Sequence, residues 1–268
     1  MTTVLERPIV FDSLLATVAA VDDLSPHLRR VTFVAPRIAE AVTAGPDQRI
    51  KVLLAPPNGS AITLPSGAEW YTEWCAQPVD ERFIMRTYTV RALRPEVAEL
   101  DVEFVLHGVN GPASAWVTEA EVGDQVGLLL PFAVDRTSTK GLLHSGVDYV
   151  PPATSVRQVL VADETALPAV AGILEELPAG VHATVFIAVP DAADIRPLTG
   201  AADVTWVTDG SLVETVKSAA LPFDLDYAWV AGESSMIKEV RRHLVNAVGM
   251  PKSAISFQGY WKRGEAHC

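Results

Sequence analysis

The feature that most constrains this chain is a change of hydrophobic period near its middle. In the first half, Leu28–Val34, Ile50–Leu54, Arg86–Leu93, Leu100–Leu106 and Gln125–Pro131 are short runs rich in β-branched or aromatic residues. Several alternate apolar with polar side chains, as strands with one wet face do. Short strands separated by turn residues, with few helical patterns, predict a closed barrel. In the second half, Gln158–Ala162 is continuously apolar, as a strand covered on both faces must be. Leu167–Leu177 then follows at helical spacing. Ala183–Val189, Val204–Val207, Tyr227–Ala231 and Ala254–Phe257 read as further strands, with helices near Leu212–Ala219 and Ser234–Val248. That alternation predicts a parallel sheet covered by helices. The expected division is a β-barrel domain over 1–136, a linker over 137–155 and an α/β domain over 156–268. A cleft between two such domains is where small ligands bind.

Composition narrows the function classes. The chain has 268 residues, 49% hydrophobic and 20% charged, enough apolar material for a sizeable core. With 21 Lys and Arg against 33 Asp and Glu, the formal charge of −12 argues against nucleic acid as a partner. No apolar run approaches the roughly 20 residues that cross a bilayer. Met1–Pro8 has no basic stretch followed by an apolar one, so a cytoplasmic protein without stable membrane association is expected. A monomer is the expected state. Cys75 and Cys268 share no metal or redox spacing, so no resident metal is expected. Any electrons handled by such a chain sit on an organic cofactor or on a substrate metal.

Five short segments carry possible chemistry. In Arg86–Arg91 (RTYTVR), Arg86, Tyr88 and Val90 share one face of a strand and Thr87, Thr89 and Arg91 the other. Arginines with a phenol and hydroxyls suit a ligand that joins a flat ring to phosphate, although an ordinary exposed strand has the same composition. His107–Trp116 leaves a strand, turns on glycines and enters a short helix at Pro112, whose first N–H groups favour an anion or merely cap a turn. Asp163, Glu164, Thr165 and Ala166 stand where the first parallel strand gives way to its helix. That is the ligand edge of an open α/β sheet, but it is also an ordinary helix cap, and no GxGxxG accompanies it. Ala231-Gly232-Glu233 repeats the same geometry, and Tyr260-Trp261-Lys262-Arg263 sets two aromatics beside two cations.

Taken together these segments resemble the siderophore-interacting protein family, flavin-dependent ferric-siderophore reductases of the ferredoxin-reductase-like superfamily. The resemblance rests on RTYTVR, HGVNGPASAW, DETALPA (Asp163–Ala169), AGE (Ala231–Glu233) and YWKRG (Tyr260–Gly264), in family order over about 180 residues. It implies a six-stranded antiparallel FAD-binding barrel followed by an NAD(P)H-binding domain. Arg86, Thr87, Tyr88, Thr89 and Arg91 would hold the flavin, its ribityl chain and its pyrophosphate. His107, Gly111, Pro112, Ala113 and Ser114 would line the phosphate side. Asp163, Glu164, Thr165 and Ala166, with Gly232, Glu233, Tyr260 and Trp261, would face the junction of flavin and nicotinamide nucleotide. Lys51, Lys262 and Arg263 would attract an anionic ferric siderophore. The family's third arginine, in a GPRG-like turn, is replaced by LPFAVDR, where Arg136 is a possible stand-in. The implied reaction uses NADH or NADPH to reduce chelated Fe(III) and release Fe(II), with electron transfer through the flavin and no catalytic side chain. A non-enzymatic siderophore- or flavin-binding module and a general NAD(P)H:flavin reductase are the alternatives.

Overall fold

A computed structural model describes residues 9–67, 69–106, 111–133 and 146–264. Six strands close into an antiparallel barrel: β1 (Ile9–Ser25), β2 (Leu28–Val34), β3 (Arg49–Leu54), β4 (Ile84–Arg94), β5 (Glu99–Val105) and β6 (Gln125–Ala133), in the order β1-β2-β5-β4-β3-β6. Helix α1 (Trp70–Ala76) interrupts the barrel between β3 and β4, and α2 (Pro112–Glu119) lies between β5 and β6. The second domain alternates β7 (Arg157–Ala162), α3 (Leu167–Glu175), β8 (His182–Ala188), β9 (Ala202–Val207), α4 (Leu212–Ser218), β10 (Tyr227–Glu233), α5 (Ser234–His243) and β11 (Ile255–Trp261). Its sheet is parallel throughout, in the order β11-β10-β7-β8-β9. Among the described residues no helix is long and apolar enough to cross a membrane.

The barrel closes through β1. Its first half pairs with β6 from Ile9 to Thr17, and its second half pairs with β2 from Thr17 to Ser25. One strand serves two neighbours because bulges between Val18 and Ala20 and between Asp23 and Ser25 bend it. Leu14, Ala16 and Val18 point inward and join Phe33, Ile50, Val52, Val102, Phe104 and Leu128 in the core. Each Val, Leu, Ile or Phe among them contributes about 1.5–3 kcal/mol by leaving water.

Both faces of the parallel sheet are covered. Leu160, Ala162, Val185 and Trp229 meet Leu167, Val170 and Ile173 of α3 on one face. Val159, Val161 and Val230 meet Val213 and Val216 of α4 and Ile237 and Val240 of α5 on the other. The crossover from β8 to β9 has a 3-10 turn at Ala192–Asp194 in place of a helix, closed by a capping box from Asp191 to Asp194.

The α3 face also carries the contact with the barrel. A Cβ at Gly172 would stand 2.7 Å from the Pro46 carbonyl oxygen, so only glycine lets α3 come this close. Beside it, the buried Asp47 accepts through Oδ2 from the amides of Asp148 and Tyr149, each at 2.9 Å, and from the Trp229 indole at 3.2 Å. Burial pushes this carboxyl up, against those three donors. Part of the expected 137–155 linker is thus strapped across the junction, while 137–145 and Arg136 lie outside the described residues. His27, in the β1–β2 turn, binds Asp194 of the second domain at 2.8 Å.

Candidate functional site

Strand β4 positions the first group of site residues. Its register sets Arg86 opposite Val52, Thr87 opposite Lys51, Tyr88 opposite Ile50 and Thr89 opposite Arg49. Tyr88 packs against the barrel core with its ring centroid 4.3 Å from that of Phe104. Burial raises the phenol's pKa, so it stays a protonated donor. On the outer face, Lys51 Nζ donates to Thr87 Oγ1 at 2.6 Å. Burial, then the neighbouring charge of Arg49, lowers the Lys51 pKa. Thr89 is buried, and the Tyr260 phenol comes up against it, yet Thr89 Oγ1 has no well-aligned protein partner.

The two arginines of the motif part company. Arg86 Nη1 donates to the Met85 carbonyl at 2.8 Å, and among the described residues it has no carboxylate in ion-pair contact. A bulge between Val90 and Ala92 lies at Arg91. The Arg91 guanidinium forks onto Glu175 of α3 at 2.9 and 2.5 Å, joining the two domains. The structure therefore does not bring Arg91 beside Arg86.

Helix α2 sits next to this strand through an aromatic row. The Tyr88 ring meets Phe104, Phe104 meets Trp116 at 5.8 Å, and Trp116 stacks on Phe33. At the helix start, Gly111 is the N-cap with extended backbone and no side chain of its own to cap with, and no acidic residue lies in the first turn. Pro112 takes the first position, where its missing N–H costs nothing, and Ala113 is buried. The Ser114 carbonyl accepts from Thr118 Oγ1 at 2.7 Å. His107 lies outside the described residues.

The sheet edge is organised around Asp163. Its carboxylate accepts from the Thr165 amide at 3.0 Å, the Thr165 hydroxyl at 2.5 Å, the Glu233 amide at 2.7 Å and the Trp261 indole at 2.8 Å. Burial pushes the Asp163 pKa up, and the four donors offset part of that. Gly232 is what allows the approach: its φ is +135°, and a Cβ there would lie 2.5 Å from Asp163 Oδ2. Next to it, Glu164 is pushed up to about 7, first by burial and then by the charge of Asp163. Ala166 is buried beneath the turn.

Glu233 ends β10 and caps α5, accepting from the Ser235 and Met236 amides at 2.7 and 2.9 Å and from the Arg263 amide at 3.3 Å. Burial raises this carboxyl, but the amides outweigh it and hold the pKa below its usual value. Ser234 Oγ donates to the Trp261 carbonyl at 2.9 Å. Tyr260 and Trp261 are thus a fixed end of β11, with Lys262 and Arg263 following it. Lys51 lies on a different element, β3.

These residues fit FAD. Thr89 presents a buried hydroxyl without an aligned partner, Arg86 has donors to spare, and the first turn of α2 carries no acidic residue. Together they match a ring joined to a pyrophosphate. Sequence reasoning missed Asp47, whose only local signal is a Pro-Asp-Gln turn before β3.

Comparison with known proteins agrees with this geometry. Residues 17–135 match the family profile described as the siderophore-interacting FAD-binding domain, and residues 156–264 match that of siderophore-interacting protein. The mycobactin import ATP-binding/permease protein IrtA of Mycolicibacterium smegmatis is 28% identical over 94% of this chain, which spans 26% of that protein's length. The ferric vibriobactin reductase ViuB of Vibrio cholerae is 29% identical over 68% of this chain and 66% of its own. The crystal structure of the siderophore-interacting protein SipS from Aeromonas hydrophila superposes with a TM-score of 0.74 at 29% identity, covering 95% of this chain and all of that one. A six-stranded barrel carrying the FAD-binding signature, joined to a parallel sheet, places this chain in the siderophore-interacting protein family.

Proposed function

We propose that this protein is an FAD-dependent ferric-siderophore reductase that uses NADH or NADPH to reduce chelated Fe(III) and releases iron as Fe(II) in the cytoplasm. The observation that carries the reading is the convergence of two elements from opposite domains. β4 presents Thr87, Tyr88 and Thr89, and the end of β11, with Tyr260 and Trp261, closes against it at Thr89. FAD held by these residues would supply storage for the two electrons of NAD(P)H and their release one at a time, and chelated iron holds its hard oxygen ligands less tightly once reduced.

The side chains supply position and charge. Arg86 and the first turn of α2 would take the pyrophosphate, and Tyr88 and Thr89 the ring and ribityl chain. Asp163, Glu164, Thr165, Gly232 and Glu233 frame the sheet edge where a nicotinamide nucleotide enters, as open α/β sheets bind ligands. Asp163 fixes Trp261 at 2.8 Å, so the indole cannot swing freely over the cleft. Lys51 on one side and Lys262 and Arg263 on the other would draw an anionic chelate against the overall charge of −12. No side chain has to act as acid, base or nucleophile, because the reaction moves electrons.

The test is anaerobic addition of NADH or NADPH to the FAD-loaded protein, followed by a panel of ferric chelates. Loss of absorbance near ~450 nm and its return with a ferric siderophore are expected. Binding without bleaching would make the protein a carrier. Faster turnover of free riboflavin or FMN than of any chelate would make it a general flavin reductase.

A further inference from the structure

We infer that a cavity between the outer barrel wall and α3 is a binding site for a small oxyanion of the phosphate type. The cavity has a volume of about 260 Å³, and Arg30, Arg91 and Arg196 line it together with Glu175 and Thr199. Arg30 comes from β2, Arg91 from β4 and Arg196 from the β8–β9 crossover, so both domains contribute guanidinium groups. The site is separate from the cofactor cleft. Glu175 ends α3, eight residues and about 12 Å from Leu167 at the sheet edge.

Charge and hydrogen bonding both point to an anion. Beneath the cavity Glu103, whose side chain is fully buried, accepts from Arg30 Nη2 and Arg196 Nη2, each at 2.6 Å. Arg91 is held by Glu175. Three guanidinium groups therefore face two carboxylates. Asp101, the next acid on β5, is taken up by Arg94 at 2.6 and 2.8 Å. Arg94 is itself shared with Glu99, so the surplus of guanidinium groups is confined to the cavity lining, where three of them meet the single carboxylate of Glu175. The Nε of Arg30 is also buried without a hydrogen-bond partner, while that of Arg91 lies 3.5 Å from Glu103 Oε1.

The space holds roughly nine waters at about 30 Å³ each, ample for a tetrahedral oxyanion and its remaining hydration. It is smaller than the roughly 300–1,000 Å³ of pockets that take organic ligands, which favours free phosphate over a nucleotide. Guanidinium forks suit such an ion because they donate in pairs to its oxygens. An occupant would bridge β2, β4 and the β8–β9 crossover, and so stabilise the domain contact by binding only the folded state.

Calorimetric titration of inorganic phosphate into the FAD-loaded protein, at ionic strength matched with chloride, tests this. One saturable site is expected, with a rise in melting temperature that chloride does not reproduce. Arg30→Gln and Arg196→Gln each leave Glu103 one hydrogen-bonded guanidinium and Arg91 at 3.5 Å, and each should weaken binding about tenfold, as loss of one charge-assisted hydrogen bond does. The flavin spectrum should stay unchanged in both. NADPH titrated in parallel distinguishes a nucleotide phosphate from the free ion. Absence of saturable phosphate binding, wild-type affinity in both variants, or a loss of affinity confined to NADPH overturns the proposal. None of these results bears on whether the protein reduces ferric chelates.

Discussion

The indole nitrogen of Trp261 and the carboxylate of Asp163, 98 residues apart in sequence, meet at 2.8 Å, and Gly232 leaves the space that lets them do so. The end of β11, the start of the first crossover helix and the end of β10 are therefore one unit. Asp163→Asn would turn an amide N–H₂ toward donors that need an acceptor, and should destabilise by about 2–4 kcal/mol. Trp261→Phe removes a single donor and should cost about 1 kcal/mol. Urea unfolding monitored by circular dichroism distinguishes the two. Equal costs would mean that the carboxylate is not the organising group.

Gly232→Ala meets two obstacles, the φ of +135° and a Cβ 2.5 Å from Asp163 Oδ2. The expected cost is about 2–4 kcal/mol, part from backbone strain and part from overpacking. Combining it with Asp163→Ala relieves the overpacking but not the strain. The double variant should therefore lose less stability than the sum of the singles.

Arg86 and Arg91 should respond differently. Arg86→Ala should lower FAD affinity at least about tenfold, because a guanidinium with free donors is lost from the phosphate end. Arg91→Ala should leave the flavin bound, since its donors go to Glu175 across the domain boundary. Glu175 is 43% exposed, so the direct pair is worth only about 0.5–1 kcal/mol. Flavin absorbance after gel filtration is the readout. Loss of flavin from Arg91→Ala would return that residue to the cofactor.

Glu164 predicts a pH dependence of stability. Its folded pKa, about 7, lies above the ordinary value of 4.5, so between these values the folded state holds more proton than the unfolded one. Stability contributed by the protonated form is full below about 4.5 and falls as pH rises to about 7, by at most about 3 kcal/mol. Glu164→Gln should lack that slope, so the difference between wild type and variant should itself change over this pH range, measured as urea midpoints from acid to neutral pH. An unchanged slope would show that the carboxyl titrates normally.

Lys51→Ala and Lys262→Ala should raise the apparent KM for an anionic ferric chelate, each about threefold to tenfold, while FAD stays bound and NAD(P)H still bleaches it. Raising the ionic strength should shrink the difference between wild type and variants. Unchanged KM in both would remove the basic patch from the substrate reading.

Much of the fold is legible from periodicity. Leu28–Val34 is a strand with the ends that alternation predicts, and the apolar runs at Gln158–Ala162 and Ala183–Val189 are strands covered on both faces. β1 is not legible. Asp12, Ser13, Asp22 and Asp23 interrupt its apolar pattern, and two bulges shift the register, so its 17 residues carry no single period. α1 is hidden in a polar, Pro-containing stretch because its seven residues are too few to show a helical repeat. At the site, the motifs marked the right segments but not the partners of their side chains. Alternation along β4 does not show the bulge at Arg91, and nothing local to Asp163 announces an indole from the far end of the chain.

The contact of α3 with Pro46 at Gly172 has a consequence for anyone who would transplant one half of this molecule. A chimaera that joins this barrel to a foreign nucleotide module inherits a seam in which main chain lies on main chain. Any donor with a side chain at that seam would wedge the halves apart and widen the gap electrons must cross. Interchangeability within such architectures is then set by a missing methyl group at the suture more than by the residues around the cofactor.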